Sequence, residues 1–239
     1  MIVSHSRRFV FVHLHKTGGS SLKVGLDPFL AWNDLILGTT PRGHALNDPF
    51  RARFGLDKHS SVADIERVCG TDVIGGYFMF TLVRRPRERI CSLYNFAGSH
   101  VARWAKNEGI AVADIADHLE KHSKTIEAAS FLMWPASRAF FTTRNFGEFL
   151  RSDFLNAEIG YRPQAERLRS GGGEVRCRAL RIEDKEGCLP ELRRLLGADF
   201  SLPHRNRSAE MLVSPGVLGT DEVRFIESRY AEDYTAFGY

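Results

Sequence analysis

One strand-like run and the turn behind it limit what this chain can fold into more than any other stretch. Arg8-Phe9-Val10-Phe11-Val12-His13-Leu14 is rich in β-branched and aromatic residues, and His15-Lys16-Thr17-Gly18-Gly19-Ser20 follows at once. Such a run, bounded by a polar, glycine-bearing turn, reads as a buried strand. Ser20 to Leu26 can open a helix, so the unit is strand, Gly-rich turn, helix. The order recurs further on. Gly75-Gly76 lead into Tyr77-Phe78-Met79-Phe80-Thr81-Leu82-Val83, the clearest buried strand, and Pro86 stands where a helix begins. Ile90, Leu93, Tyr94 and Ala97 keep helical spacing behind it. Buried strands alternating with helices predict an α/β fold: a parallel central sheet with helices on both faces.

The remaining segments fill in that plan. Residues 38 to 59 hold Gly38, Pro41, Gly43, Asn47, Asp48, Pro49 and Gly55 and read as loop. Ser60 or Ser61 caps a helix through Val68, with Asp64 near its start. Residues 101 to 170 read as mostly helical, with Trp104, Phe131, Trp134, Phe140 and Phe141 as packing anchors. Ser170-Gly171-Gly172-Gly173 is a turn before a third strand, Val175 to Ile182. A helix over Cys188 to Leu196, a loop over Leu202 to Ser208 and a final helix from Asp221 to Tyr230 complete the chain. No repeat, low-complexity tract or dividing linker interrupts it, so residues 1–239 read as a single domain.

Composition narrows the function classes. Hydrophobic residues at 43% and charged residues at 26% supply a core and argue against disorder. The formal charge is only +4, from 33 basic and 29 acidic residues, with no run of five like charges. That balance suits an anionic small ligand better than a nucleic-acid duplex, so no nucleic-acid partner is expected. Cys69, Cys91, Cys177 and Cys188 show no C-x-x-C spacing, and the expectation is reduced thiols without zinc. There is no signal-peptide pattern and no stretch near 18 apolar residues, so a soluble, cytoplasmic protein without a transmembrane segment is expected.

Two turns carry anion-binding chemistry. In an open parallel sheet, ligands bind beyond the carboxyl ends of the strands. In Lys16-Thr17-Gly18-Gly19-Ser20-Ser21 the glycines let the backbone close around a phosphate, helix N–H groups point at it, and hydroxyls and a lysine add donors. Arg84-Arg85-Pro86 ends the best strand, and Ser92 lies on the next helix; arginine offers forked donors to a second phosphate. One nucleotide with phosphates at both ends needs two such cradles at one sheet edge.

The segment Phe11 to Leu22, with His15-Lys16-Thr17-Gly18-Gly19-Ser20-Ser21 at its centre, resembles the 5′-phosphosulfate-binding loop of sulfotransferases that use 3′-phosphoadenylyl sulfate. The carbohydrate branch of that family is the nearest in pattern. Phe80 to Tyr94, containing Arg84-Arg85-Pro86 and Ser92, is similar to the family's 3′-phosphate segment. Arg162-Pro163-Gln164, Leu180-Arg181-Ile182-Glu183-Asp184, Leu202-Pro203 leading to Asn206 and Ser208, Asp233-Tyr234 and Phe237-Gly238-Tyr239 follow in family order. Arg85 departs from the pattern, where the family carries Asn or Asp.

The resemblance implies a three-layer sandwich like that of P-loop nucleotide hydrolases. It further implies sulfuryl transfer from 3′-phosphoadenylyl sulfate to a hydroxyl of a small-molecule or oligosaccharide acceptor, a carbohydrate or glycolipid. Adenosine 3′,5′-bisphosphate would be the product, with no metal required. Lys16 would stabilise the leaving group, Thr17, Gly18, Gly19, Ser20 and Ser21 would cradle the 5′-phosphate, and Arg84 with Ser92 would hold the 3′-phosphate. His59 matches the family's histidine base in position, with His15 and His44 as alternatives. A P-loop kinase or hydrolase is the rival reading, but G-x-x-x-x-G-K-[ST] is absent because the lysine precedes the glycines. A non-catalytic nucleotide- or glycan-binding relative is the second rival.

Overall fold

The computed structural model describes residues 1–121, 132–201 and 211–239. In chain order these form β1 (Ile2–Ser4), β2 (Phe9–Val12), α1 (Gly19–Leu26), β3 (Leu35–Ile36), α2 (Pro41–Phe54), α3 (Val62–Cys69), α4 (Thr71–Ile74) and β4 (Phe78–Val83). After them come α5 (Pro86–Glu108), α6 (Ile115–Lys121), α7 (Pro135–Thr142), α8 (Phe146–Leu150) and α9 (Gln164–Arg167). The last elements are β5 (Arg178–Arg181), α10 (Lys185–Leu196), α11 (Thr220–Arg229) and α12 (Ala231–Phe237). The chain divides into two compact units. The first comprises Met1–Arg85, Pro163–Asn206 and Glu232–Tyr239; the second comprises Pro86–Arg162 and Arg207–Ala231.

The first unit is built on an open five-stranded sheet of order β3-β1-β2-β4-β5. β2, β4 and β5 run parallel, as the strand–turn–helix order predicts. The sheet as a whole is mixed, which corrects the expectation of a parallel one, because β1 is antiparallel to both β2 and β3. Only four residues separate β1 from β2, and so short a link returns the chain antiparallel; a parallel crossover needs a dozen or more. β1 and β3 are three and two residues long, too short to leave a periodic signature.

Strand alternation sorts the apolar residues onto two faces. Phe9 pairs with Phe78 and Phe11 with Phe80, so four phenylalanines share one face. The Phe11 and Phe80 rings lie 5.3 Å apart and those of Phe78 and Phe80 5.4 Å. Leu22 and Leu26 of α1 and Leu192 and Leu196 of α10 cover this face. Val10, Val12, Met79 and Val83 face the other way, against Val62 and Ile65 of α3, Ala165 of α9 and Phe237 of α12. Burying each large apolar side chain contributes about 1.5–3 kcal/mol. That fixes the register, since a one-residue slip would invert both faces. The single buried cation of α1, Lys23, donates to the Leu37 carbonyl oxygen.

Residues 38 to 59 are not the loop their glycines and prolines suggest, for α2 occupies fourteen of them. Thr40 caps it by accepting from the Gly43 N–H at 3.1 Å, and Pro41 takes the first turn, where its missing N–H is harmless. α3 begins as expected, with Ser61 and Asp64 forming a reciprocal capping box.

The second unit is helical in its described residues. α5 runs 23 residues, and its Val101 and Ala105 pack with Ile115 and Leu132, flanked by Trp104, Phe140 and Phe141. Trp134, expected in the core, is instead 48% exposed. It caps α7 immediately before Pro135 and stacks on Phe96 at 6.2 Å. Phe131 and the Leu202-to-Ser208 segment lie outside the described residues. The four cysteines are free thiols, three of them buried. No helix among the described residues is long and apolar enough to cross a membrane.

Candidate functional site

β2 and β4 are adjacent, parallel and in register at Val12 and Thr81, so their carboxyl ends leave the sheet at one edge. From β2 the chain passes through His13-Leu14-His15-Lys16-Thr17-Gly18 into α1; from β4 it passes to Arg84. Lys16 and Gly18 both adopt left-handed backbone, φ 64° and 81°, on either side of buried Thr17. The Thr17 hydroxyl donates to the Leu14 carbonyl oxygen at 3.0 Å and closes the turn. A lysine at positive φ costs about 1–3 kcal/mol, and such strain gathers at functional sites.

The two glycines are needed for different reasons. A Cβ on Gly18 would lie 2.2 Å from the Ile182 side chain, at a φ that L-residues avoid. A Cβ on Gly19 would lie 2.2 Å from the imidazole of His13, which is buried beneath the turn. Gly19→Ala should therefore lower stability by about 1–3 kcal/mol through overpacking. Thermal denaturation measures this; an unchanged melting temperature would mean that His13 yields freely. α1 starts with no side-chain cap and no acidic residue in its first turn. Its positive end is thus presented without a competing carboxylate.

Cations collect around this helix start. The Arg84 guanidinium donates to the Lys16 carbonyl oxygen at 3.3 Å. The Lys16 ammonium is pushed down to about 8, first by burial, then by the neighbouring charges of Arg84 and Lys58. Both facts mark a place where positive charge is crowded and an anion would relieve it.

Arg84 is held by its main chain. Its N–H donates to Gln164 Oε1 at 3.0 Å, and its carbonyl accepts from Gln164 Nε2 at 2.9 Å. Gln164 is itself gripped by Asp233, whose Oδ2 accepts from the Gln164 N–H at 2.9 Å and from Nε2 at 3.1 Å. Asp233 Oδ1 accepts from the Ala165 N–H at 2.8 Å. Next along the chain, the Arg85 N–H donates to Glu183 Oε1 at 2.8 Å, and the Tyr239 hydroxyl meets Glu183 Oε2 at 3.2 Å. The Arg85 side chain is exposed and lies over the Tyr239 ring at 5.7 Å.

Three histidines complete the group. The His59 ring stacks on His15 with centroids 3.5 Å apart and lies 4.6 Å from His13. His59 Nδ1 is 2.8 Å from the His13 carbonyl oxygen. A carbonyl only accepts, so Nδ1 carries the hydrogen and the neutral ring keeps its lone pair on Nε2. Burial, then the His15 and Lys58 charges, hold the His59 imidazolium well below its usual range, so the ring is neutral at pH 7. The loop around it is fixed: the His59 N–H donates to Asp57 Oδ1 at 2.6 Å, and Arg167 donates to the His59 carbonyl at 2.7 Å.

Of the residues singled out in the sequence, Lys16, Thr17, Gly18, Gly19, Ser20, Ser21, His15, His59 and Arg84 belong to the first unit and lie at or beside this edge. His44 is exposed on α2. Ser92 is half-buried on α5, in the second unit. The grip of Gln164 and Asp233 on Arg84, and the charge that Lys58 adds near Lys16, have no local sequence signal. Gln164 stands 80 positions from Arg84, Asp233 69 from Gln164, and Lys58 42 from Lys16. Among the described residues, no group of three or more His, Cys, Asp or Glu side chains is arranged to hold a metal ion. Compared with known protein families, with curated proteins and with solved structures, the chain matches none.

Proposed function

We propose that this chain is a sulfotransferase that moves a sulfuryl group from 3′-phosphoadenylyl sulfate to an acceptor hydroxyl. The observation that carries the reading is the meeting, at one sheet edge, of a strained Lys16 turn with a neutral histidine whose Nε2 keeps its lone pair. Through His15 the two are linked, for His15 precedes Lys16 in the chain and its ring stacks on His59. Sulfuryl transfer demands alignment and charge stabilisation more than covalent help, as phosphoryl transfer does. The residues divide the work accordingly.

In the proposed step the acceptor oxygen forms the new bond to sulfur as the bond from sulfur to the bridging oxygen breaks. The electron pair of that bond leaves with the 5′-phosphate of adenosine 3′,5′-bisphosphate. Lys16 meets the charge that grows there, and N–H groups at the start of α1, with Ser20 and Ser21, hold the phosphate. The acceptor proton goes to His59 Nε2 and then to solvent. Arg84 supplies the positive charge for the 3′-phosphate that distinguishes this donor from ordinary adenylates. A carbohydrate or glycolipid is the acceptor class this reading favours, on the resemblance alone.

Incubation with labelled 3′-phosphoadenylyl sulfate and a panel of sugars and alcohols tests the activity directly. Transfer of label is the expected result. A melting temperature raised by ATP with magnesium but not by adenosine 3′,5′-bisphosphate would favour a kinase or hydrolase instead. Binding gives a second test. One charge-assisted contact contributes about 1.5–3 kcal/mol, so Arg84→Ala should weaken the bisphosphate by roughly 10- to 150-fold and leave AMP nearly unchanged. Equal wild-type affinities for the two nucleotides in calorimetry would remove Arg84 from this role.

A further inference from the structure

We propose that Asp233 and Gln164 are positioning residues that set Arg84 for selection of a second phosphate. The inference rests on the reading of Arg84 given above and extends it to two residues with no assigned role. Its basis is the shape of the network. Gln164 is 1% exposed and Asp233 fully buried. The Gln164 amide engages both main-chain groups of Arg84 at once, its oxygen taking the N–H and its nitrogen giving to the carbonyl. Arg84 follows the last residue of β4, Val83, so this amide adds a rung where the strand ladder ends.

A glutamine amide can point either way, and here the direction is dictated. Asp233 Oδ2 can only accept, so the side of the amide turned toward it must be Nε2. Oε1 is thereby left to face the Arg84 N–H. Asp233 also receives the N–H groups of Gln164 and Ala165, which ties the start of α9 to the same carboxyl group. Asp233 sets the amide, the amide sets the Arg84 main chain, and the main chain sets where the guanidinium can reach. The Arg84 guanidinium itself donates to the Lys16 carbonyl oxygen. The Gln164 and Asp233 side chains are buried and spend their hydrogen bonds on the main chain and on each other. Their effect is on selectivity rather than on the presence of positive charge.

The tests separate the clamp from the function it serves. With nothing bound, hydrogen exchange at the Arg84 amide, read by NMR, should be slow in the wild type and at least roughly tenfold faster in Gln164→Ala, since a lost hydrogen bond typically changes an opening equilibrium by about that factor. Gln164→Glu keeps the acceptor for the N–H but sets a second acceptor against the Arg84 carbonyl and Asp233. It should therefore lower the affinity ratio of adenosine 3′,5′-bisphosphate to AMP by roughly tenfold or more, while AMP binding moves little. Asp233→Asn should do the same; if that variant fails to fold, the two Gln164 variants decide. Unchanged amide exchange in Gln164→Ala would overturn the clamp whatever the protein binds. Folded Gln164 variants with the wild-type ratio would overturn the selectivity role while Arg84→Ala still upholds the donor assignment. A wild type that does not prefer the bisphosphate would instead overturn the donor assignment, and with it the selectivity role, leaving the exchange result to judge the clamp.

Discussion

Replacing His59 by alanine is expected to lower kcat by about 10²–10⁴-fold, the usual span for a positioned base. Nucleotide affinity should hardly move, since the base serves the acceptor. The size of the effect follows from how completely the ring is prepared. The His13 carbonyl fixes the Nδ1 hydrogen, the stacked His15 ring fixes the plane, and Arg167 and Asp57 fix the main chain. In the proposed reaction a ring so held would start in the right tautomer with little left to reorganise. Its depressed imidazolium range also sets the pH profile. If His59 is the base, its neutral form persists below the ordinary histidine value, so kcat/KM should stay level as pH falls through that value and drop only in more acidic solution. The His59→Ala variant should lack that acid limb. A variant with normal turnover, or a wild type that loses activity around pH 6.5, would place the base elsewhere, with His15 the next to test. The contact with the His13 carbonyl gives an independent check, because the NMR signals of neutral His59 should show hydrogen on Nδ1.

Lys16→Ala is expected to reduce kcat by about 10²–10³-fold, the effect of removing one donor aimed at developing charge. The strained backbone provides a control for folding. Lys16→Gly removes the same ammonium but accepts φ 64° without strain. It should be as inactive as Lys16→Ala while melting at a higher temperature. Matching losses of activity with different stabilities would assign the effect to the ammonium; recovery of activity in the glycine variant would assign it to the backbone. The proton on Lys16 adds a pH signature. Burial and Arg84 bring the group down to about 8. Its charge is therefore present below that pH and lost as pH rises through it, and kcat/KM should fall on the alkaline side with an apparent midpoint near 8. For stability the sign is the reverse. Between about 8 and the ordinary lysine value the unfolded chain holds the extra proton, so the folded state gains from this residue as pH rises. Activity and stability should thus move in opposite directions across one pH range.

The pieces that short-range chemistry controls were legible in the residues alone. The β-branched and aromatic runs became β2 and β4, and the Gly-Gly-Ser turn opened α1. Ser61 with Asp64 opened α3, and Pro86 stands at the start of α5. In each case the deciding contacts lie within a few residues: a period-two pattern, a cap, a proline whose φ already suits a helix. The parallel relation of β2, β4 and β5 was also legible, because helices between buried strands leave little other choice. The α2 segment marks the limit of such reading. Its glycines and prolines look like a loop, yet Thr40 and Pro41 start a helix whose Leu46 and Phe50 pack against the sheet.

The rest depends on partners far apart in the chain. Whether β1 and β3 join the sheet depends on pairing across its edge, which two- and three-residue strands cannot announce. The charge state of Lys16 depends on burial and on Arg84 and Lys58, which are 68 and 42 residues away in sequence. The tautomer of His59 depends on a carbonyl 46 residues earlier. The orientation of Arg84 depends on Gln164 and Asp233, drawn from segments that only the fold brings together. Residue types state what chemistry a chain can offer. Proton position, desolvation and the direction of an amide are set by partners distant in sequence, and only the folded chain brings those partners within reach.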